Sequence, residues 1–333
     1  MKRCWHVALV LFAILIFRPL GTATESASGF HARNTEATVK MTYLGNAGWE
    51  ITDGKTTILL DPYLSRIRYS KREADIAGDN RPTYFDSNDR PEPDTAVIDA
   101  HIKRADYVLL SHGHFDHMMD VPYILKKTGA NLIATEANLN VAYAYGVNRQ
   151  QLIPAQGGDD YDFGAFSVKV IPSLHGALIQ KRYVDSDINP DNIKTPLRLI
   201  DYHEGGTLAF LIRFHGHQIL SFGSMNYIEN ELKGLKPDVV LVGAKPERNE
   251  IYDYMGRLMR VLSYPPLVMP NHWDDFFLPY WAPQDRALKQ LDSFIAEVKK
   301  ASPTTKVIVG KHFQPIILPD APVRKVRPTV NRQ

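Results

Sequence analysis

The segment Ser111-His112-Gly113-His114-Phe115-Asp116-His117-Met118-Met119-Asp120 places three of the chain's 12 histidines and one carboxylate at positions 112–117. A buried strand is predicted over 107–111 immediately before it, and an apolar helix over 118–127 immediately after it. Imidazole nitrogen and carboxylate oxygen are the ligands that a borderline cation such as zinc prefers when no thiolate is available. The stretch therefore predicts a metal site at the end of a strand.

The spacing of these residues predicts two neighbouring metal positions. If the strand ends at Ser111, then His112 and His114 project from the extended loop to one side. Asp116 and His117 then lie on the first helical turn and point in another direction. A lone histidine is more often a satisfied polar residue than a ligand, and Asp116 has an alternative role as the N-cap of the helix. Three histidines and an aspartate in one short loop nevertheless form a specific metal-binding pattern.

The composition is that of an ordinary globular protein. The chain has 333 residues, of which 44% are hydrophobic, 39 are Lys or Arg, 37 are Asp or Glu, and one is Cys. The apolar content excludes a disordered chain, and the single cysteine excludes a disulfide scaffold. A formal charge of +2 lacks the concentrated basic excess that phosphate contacts need, so we expect no nucleic-acid partner.

The N-terminal segment has the three-part pattern of a secretory signal peptide. Two basic residues precede the apolar run Val7–Phe17, and the small residues Gly21-Thr22-Ala23 follow it. The run stops at Arg18 and is shorter than the roughly 20 residues that span a bilayer. We therefore expect cleavage of residues 1–23, export to the periplasm or secretion, and no stable membrane span in the mature chain. An uncleaved membrane anchor is the alternative.

The remaining sequence predicts a flexible lead over 24–38, a single domain over 39–320 and a tail over 321–333. Strands alternate with helices, which argues for a layered α/β domain. Two polar excursions, 65–96 and 178–204, interrupt the alternation, and loops of that length are usually functional or disordered. The predicted strands are 39–44, 49–52, 56–61, 107–111, 131–134, 166–171, 207–214, 218–222, 238–242, 267–269 and 306–309. The predicted helices are 118–127, 137–145 and 283–300.

At the histidine-rich loop the sequence resembles the metallo-β-lactamase-fold superfamily, whose hallmark is the same H-x-H-x-D-H segment. The resemblance covers residues 39–318. It is greatest to the branch that contains ascorbate-phosphate lactonases and N-acylphosphatidylethanolamine phospholipase D, on the strength of Thr42-Tyr43-Leu44-Gly45-Asn46-Ala47-Gly48-Trp49 and Ile58-Leu59-Leu60-Asp61-Pro62-Tyr63-Leu64-Ser65. The resemblance implies an α/β fold, a four-layer αβ/βα sandwich of two mixed β-sheets flanked by helices.

The resemblance also implies a complete set of metal ligands. The family's third histidine matches His175, in Pro172-Ser173-Leu174-His175-Gly176, and its last histidine matches His272, in Met269-Pro270-Asn271-His272-Trp273-Asp274. Each of these histidines follows a predicted strand, as a site at the end of a sheet requires. The ligands implied for one zinc ion are His112, His114 and His175, and those implied for a second are Asp116, His117 and His272.

One ligand that the resemblance implies is missing. Most relatives end the hairpin strand with Gly-Asp, whose carboxylate bridges two ions, whereas this chain has Gly223-Ser224. A neutral hydroxyl cannot supply the charge that lets two dications lie about 3.5–4 Å apart. Three alternatives stay open: one tightly bound ion, two ions bridged by hydroxide alone, or recruitment of Asn226 or another group as the bridging ligand. Asp61 matches a carboxylate that supports the metal loop from outside, with a turn residue as the alternative.

Aromatic and basic residues near the predicted metal loops are candidates for contact with a substrate. Binding sites are mostly apolar with few polar groups, and core packing is the alternative for the aromatic residues. The residues predicted to line the substrate site are Tyr63, Tyr227 and Trp273. The basic residues on the two excursions would bind an anionic group or, alternatively, are solvated loop charges. These basic residues are Arg66, Arg68, Lys181 and Arg182.

These residues together predict a metal-dependent hydrolase. A bound zinc ion lowers the pKa of its water toward about 7, so that a hydroxide nucleophile exists at neutral pH. Asp116 would orient that hydroxide and pass a proton to the leaving group. The resemblance favours an ester, lactone or phosphodiester in a small-molecule or lipid-like substrate. The alternatives are a non-catalytic metal-binding or ligand-binding protein on the same scaffold and, less favoured, a di-iron redox protein.

Overall fold

The computed structural model describes residues 38–70, 76–177, 180–183, 185 and 187–322. The predicted signal peptide lies outside these residues, as do nearly all of the predicted lead and most of the predicted tail. Within the described residues, no helix has the length and apolar character needed to cross a membrane.

Sixteen strands and six α-helices are found in the described residues. The strands are β1 (Lys40–Gly45), β2 (Gly48–Thr52), β3 (Thr57–Leu60), β4 (Arg68–Tyr69), β5 (Thr83–Tyr84), β6 (Tyr107–Leu109), β7 (Asn131–Ala134), β8 (Leu152–Pro154), β9 (Asp160–Asp162), β10 (Ser167–Pro172), β11 (Leu208–Phe214), β12 (His217–Phe222), β13 (Val239–Gly243), β14 (Leu267–Asn271), β15 (Lys306–Val307) and β16 (Pro315–Ile317). The helices are α1 (Thr95–His101), α2 (Phe115–Met118), α3 (Val121–Thr128), α4 (Glu136–Ala144), α5 (Tyr254–Val261) and α6 (Asp285–Ala301).

The described strands form two large mixed sheets of seven strands each. In the first sheet, with the order β16-β1-β2-β3-β6-β7-β8, the pairs from β16 to β3 are antiparallel and those from β3 to β8 are parallel. The second sheet, with the order β15-β14-β13-β12-β11-β10-β9, is antiparallel from β9 to β12 and parallel from β12 to β15. The predicted pair of mixed sheets is confirmed.

Side chains of the first sheet alternate between two apolar clusters. In β3, Ile58 and Leu60 belong to the cluster that contains the second sheet, whereas Leu59 belongs to a cluster with α1, α3 and α4. This alternation arises because successive side chains of a strand point to opposite faces, and both faces of this strand are buried. Helices α5 and α6 add Leu258 and Phe294 to the cluster of the second sheet. Helices therefore flank both sheets, as the predicted sandwich requires.

Helix α1 was not expected, because the sequence around it is polar. It ends the excursion 65–96, and the Asp94 carboxylate caps it by accepting a hydrogen bond from the Val97 N–H at 3.1 Å. Ile98 is its buried residue, so the helix has no apolar periodicity that would reveal it. The predicted helix 118–127 is divided between α2 and α3.

The predicted hairpin of the second sheet is present as β11 and β12, with one difference at its turn. His215 lies in the turn and is exposed, whereas His217 already belongs to β12 and is 5% exposed. His217 is therefore a buried residue of the strand, although its position beside the hairpin glycine favours the surface. Its Nδ1 lies 2.6 Å from the Oδ2 of Asp238, which satisfies the buried ring.

Candidate metal centre

The predicted ligands lie just beyond the carboxyl ends of strands. β6, β10 and β14 end at most three residues before His112, His175 and His272, respectively. β10 and β14 point in the same direction, because β10 and β12 are each antiparallel to β11 and the pairs from β12 to β14 are parallel. The loops after β10 and β14 therefore leave the second sheet at the same edge, where they meet the loop after β6.

His112, His114 and His175 form the first group of donors, with ligand atoms all within 4.8 Å of one another. The Nδ1 of His112 lies 2.9 Å from Ser111 Oγ, and the Nδ1 of His175 lies 2.9 Å from the carbonyl oxygen of Gly176. These contacts leave the Nε2 atoms of both rings for a metal ion. The Nε2 of His112 is buried and has no hydrogen-bond partner among the described residues.

Asp116, His117 and His272 form the second group, again with ligand atoms within 4.8 Å of one another. The Oδ2 of Asp116 lies 3.7 Å from His117 Nε2 and 3.3 Å from His272 Nε2. Asp116 lies in the first turn of α2, and His272 directly follows β14 with a φ of 52°. The structure thus brings the six residues together in the two sets of three that the resemblance implies.

The donor set fits a divalent cation. A buried polar atom without a partner costs free energy, and ligation of a metal ion satisfies it. The two groups offer five imidazoles and one carboxylate, without a thiolate. Such a set suits zinc or another borderline metal rather than calcium or magnesium, which prefer oxygen ligands.

The ionisation states of these residues also suit metal binding, which requires neutral imidazole and ionised carboxylate. Burial lowers the pKa of His112 well below its usual value and lowers that of His175 to about 3. Burial opposes ionisation of Asp116, but the neighbouring His117 and a hydrogen bond from His272 hold its pKa below the usual value. His112 and His175 are therefore neutral rings beside a charged carboxylate.

Asp61 joins the metal loop to the end of β3. Its Oδ1 accepts the Ser111 N–H at 2.7 Å, and its Oδ2 lies 3.3 Å from His117 Nδ1. Burial lowers the pKa of His117, but Asp116 and Asp61 together raise it. Gly223 packs on this contact, since a Cβ there would lie 1.9 Å from Ser111 Oγ and 2.7 Å from Asp61 Oδ2. Asp61 thus lies where a carboxylate that supports a metal loop belongs.

Ser224 occupies the position of the bridging aspartate of most relatives, and it is hydrogen-bonded to the loop that carries His175. It is 2% exposed, and its Oγ accepts the Gly176 N–H at 2.9 Å. The Oδ1 of Asn226 accepts the N–H of Tyr227 at 2.9 Å, and recruitment of Asn226 to the metal stays a prediction. The serine therefore positions the loop that carries His175.

Asn46 is bonded to both Asp116 and His272 of the second donor group. The sequence did not predict this role for Asn46. Its Nδ2 donates to the Asp116 carbonyl oxygen at 2.6 Å and to Asp116 Oδ2 at 3.2 Å. Its own carbonyl oxygen accepts the His272 N–H at 2.7 Å. The signal in the sequence is an asparagine between Gly45 and Ala47, because asparagine tolerates the left-handed conformation that Asn46 adopts, with a φ of 54°.

Asp274 is a buried carboxylate that holds Asn46 in place. Its Oδ1 accepts hydrogen bonds from Tyr43 Oη at 2.9 Å and from the Asn46 N–H at 2.8 Å. Its Oδ2 accepts from Arg66 Nη1 at 2.5 Å and lies 2.8 Å from His312 Nε2. Arg66 is 1% exposed. Neither role predicted for Arg66, substrate binding or solvated charge, fits this placement.

Two of the residues predicted to line the substrate site are closed off from it. Tyr63 is 0% exposed, and its hydroxyl accepts the Ile67 N–H. Tyr227 is 4% exposed, and its hydroxyl donates to the carbonyl oxygen of Tyr254. Both rings are core residues, so the substrate-lining prediction is wrong for this structure. Trp273, 6% exposed, also belongs to an apolar cluster of the core.

The other basic residues of the excursions are bonded or exposed. Arg68 donates to the Asp79 carbonyl oxygen at 3.0 Å. Lys181 is 75% exposed and pairs with Glu250 at 2.8 Å, and Arg182 is exposed. Contact of these residues with an anionic substrate group stays a prediction.

The family follows from a comparison of the chain with known proteins. The family model described as the beta-lactamase superfamily domain matches residues 40–272. The match begins at the first residue of β1 and includes the whole of both donor groups. The chain belongs to the β-lactamase superfamily.

Curated relatives carry a more specific description. A metal-dependent hydrolase from Chelativorans sp. (strain BNC1) is 30% identical over 189 residues, which are 54% of this chain and 70% of that protein. A metal-dependent hydrolase from Carboxydothermus hydrogenoformans is 30% identical over 152 residues, which are 46% of this chain and 54% of that protein. With the family model and the donor groups, these relatives identify the class of this chain as a metal-dependent hydrolase.

A solved structure shares the fold. Igni18, described as a novel metallo hydrolase from Ignicoccus hospitalis KIN4/I, superposes with a TM-score of 0.50 at 16% identity. The match covers 85% of this chain and 99% of that protein. At this identity the likeness concerns the arrangement of strands and helices alone.

Proposed function

We propose that the protein is an exported zinc hydrolase that cleaves an ester, lactone or phosphodiester in a small-molecule or lipid-like substrate. The observation that carries the proposal is the pair of three-residue donor groups at the strand ends. The buried Nε2 of His112, which has no hydrogen-bond partner among the described residues, supports a resident ion, and a donor set of imidazoles and one carboxylate supports zinc.

In the proposed mechanism the ion activates the nucleophile, and residues of the chain transfer the proton. A bound zinc ion supplies a nucleophile near neutral pH, because it lowers the pKa of its water to about 7. With the ion bound, the Asp116 carboxylate would take up the proton of the attacking water as the new bond to the substrate forms, and would pass that proton to the leaving-group oxygen as the scissile bond breaks. Asn46 Nδ2, at 3.2 Å from Asp116 Oδ2, fixes the orientation of this carboxylate.

Metal content and hydrolysis test this proposal together. The purified protein is analysed for metal per chain and assayed with a lactone, a simple ester, a phosphodiester and a β-lactam. We expect at least one zinc ion per chain and turnover of one of the first three compounds, both lost after chelation and regained with added zinc. A protein without metal or turnover would support the non-catalytic alternative, and turnover that only iron restores would contradict zinc.

Export has a separate test. The three-part pattern of residues 1–23 supports cleavage after Ala23. We expect the full-length gene product, fractionated from its host, to accumulate outside the cytoplasm with Thr24 as its first residue. N-terminal sequencing of the fractions measures this, and an intact N-terminus in the cytoplasmic fraction would refute export.

A further inference from the structure

In most imidazoles of the candidate metal centre, the ring nitrogen that would not bind the ion contacts another polar group of the protein. Such contacts fix the tautomer and the orientation of a metal-binding ring. The contacts are His112 Nδ1 with Ser111 Oγ at 2.9 Å, His175 Nδ1 with the Gly176 carbonyl oxygen at 2.9 Å, and His117 Nδ1 with Asp61 Oδ2 at 3.3 Å. The Nε2 of His114 is buried and has no hydrogen-bond partner among the described residues.

A carboxylate from the second polar excursion lies beside this unpartnered nitrogen. The Oδ2 of Asp185 is 3.9 Å from His114 Nε2, and the two side chains are 18% and 15% exposed. A hydrogen bond between nitrogen and oxygen spans about 2.9–3.0 Å. A shift of about 1 Å, within the range of small loop motions, would therefore complete the bond.

Asp185 is held at this position by the loop around it. Its Oδ1 accepts the Asp187 N–H at 2.8 Å, and its Oδ2 accepts the Glu204 N–H at 3.2 Å and lies 3.0 Å from His203 Nδ1. The Gly113 N–H donates to the Glu204 carbonyl oxygen at 2.8 Å. A Cβ at Gly113 would lie 2.3 Å from the His203 carbonyl oxygen, so glycine is required for this close approach. The Asp185 loop and the histidine loop are thus joined directly.

We propose that Asp185 is the outer partner of His114 in the metal-loaded protein. Its carboxylate accepts the Nε2–H of His114 and so holds the Nδ1 of that ring toward the ion, as Asp61 supports His117 from the other side. Asp185 is a positioning residue, and its contacts with Asp187, His203 and Glu204 hold it beside the metal site. The inference rests on the proposed metal centre.

The test compares two aspartates on the same loop. Asp185→Ala removes the proposed acceptor, and Asp187→Ala removes a like charge from an exposed position two residues away. In a zinc competition titration against a chromophoric chelator, we expect Asp185→Ala to weaken zinc binding about 10–100-fold and Asp187→Ala to change it less than about twofold. The visible spectrum of the cobalt-substituted protein should shift in Asp185→Ala alone, because the ring of His114 changes its orientation.

A second variant and the wild-type protein separate a failure of the role of Asp185 from a failure of the proposed metal centre. Asp185→Asn keeps the shape of the side chain, and we expect a smaller loss of zinc affinity, because a neutral amide is a weaker acceptor than a carboxylate. Thermal unfolding of the metal-free forms checks that each variant folds. Wild-type protein that binds no metal would contradict the proposed function, whereas a folded Asp185→Ala variant with wild-type zinc affinity and cobalt spectrum would overturn the role of Asp185 alone.

Discussion

Replacement of His112 by alanine should remove both metal binding and hydrolysis. His112 is 1% exposed, and the contact of its Nδ1 with Ser111 Oγ leaves Nε2 for the ion. Loss of an outer partner typically costs about 10–100-fold in metal affinity or activity, and loss of a direct ligand should cost more. We therefore expect both quantities to fall more than about 100-fold. Metal binding is measured as the metal content after dialysis. Hydrolysis is measured as the initial rate on whichever of the four assayed compounds the wild-type protein cleaves.

His215→Ala is the matched control for this experiment. It removes the same atoms from an exposed turn, where the Nε2 of His215 lies 2.7 Å from Asp53 Oδ2. We expect wild-type metal content and rate. A His112→Ala variant that kept the metal content and rate of this control would show that the first donor group holds no catalytic ion.

Replacement of Asp274 by alanine should cause a large loss of stability. The variant leaves Arg66, 1% exposed, without the carboxylate that its Nη1 contacts at 2.5 Å. Tyr43 and Asn46 lose a hydrogen-bond acceptor at the same time. Because removal of the carboxylate leaves the buried charge of Arg66 without a partner, we expect the free energy of unfolding to fall by about 3–5 kcal/mol. Denaturant unfolding of the metal-free protein at neutral pH measures this loss.

An exposed ion pair provides the control for Asp274. Asp160 pairs with Arg213 at 2.7 Å, and the two side chains are 49% and 35% exposed. Because solvent screens such a pair, Asp160→Ala should lower the free energy of unfolding by only about 0–1 kcal/mol. A loss of the same size in Asp274→Ala would contradict the view that this carboxylate neutralises a buried guanidinium.

The metal centre was predictable to the extent that its residues are close in sequence or match a family motif. His112, His114, Asp116 and His117 lie in one loop after a strand, so the local pattern alone indicates their chemistry. His175 and His272 have no such neighbours, and only the resemblance to a family pointed to them. Both lie at strand ends of the second sheet, where the parallel and antiparallel pairings bring His175 to the first donor group and His272 to the second.

The supporting residues of the site could not be predicted in the same way. Asp274 lies 228 residues from Asn46 and 208 residues from Arg66, and no local pattern joins them. Arg66 has the sequence context of a solvated loop charge, yet the fold buries it. Tyr63 and Tyr227 were predicted to line the substrate site, but they are buried in the core. The sequence cannot separate these two cases, because an aromatic residue near a metal loop has the same local pattern in both.

Strand periodicity and ligand type are properties of short segments, so the class of the fold, the donor residues of the histidine loop and the type of chemistry could be predicted from the amino-acid sequence. Which polar groups are buried together depends on how distant segments pack. The partners of Asp274, the contact of Asn46 with Asp116 and the approach of Asp185 to His114 depend on segments that are distant in the chain. Burial makes each of these contacts energetically important, and burial is a property of the whole fold.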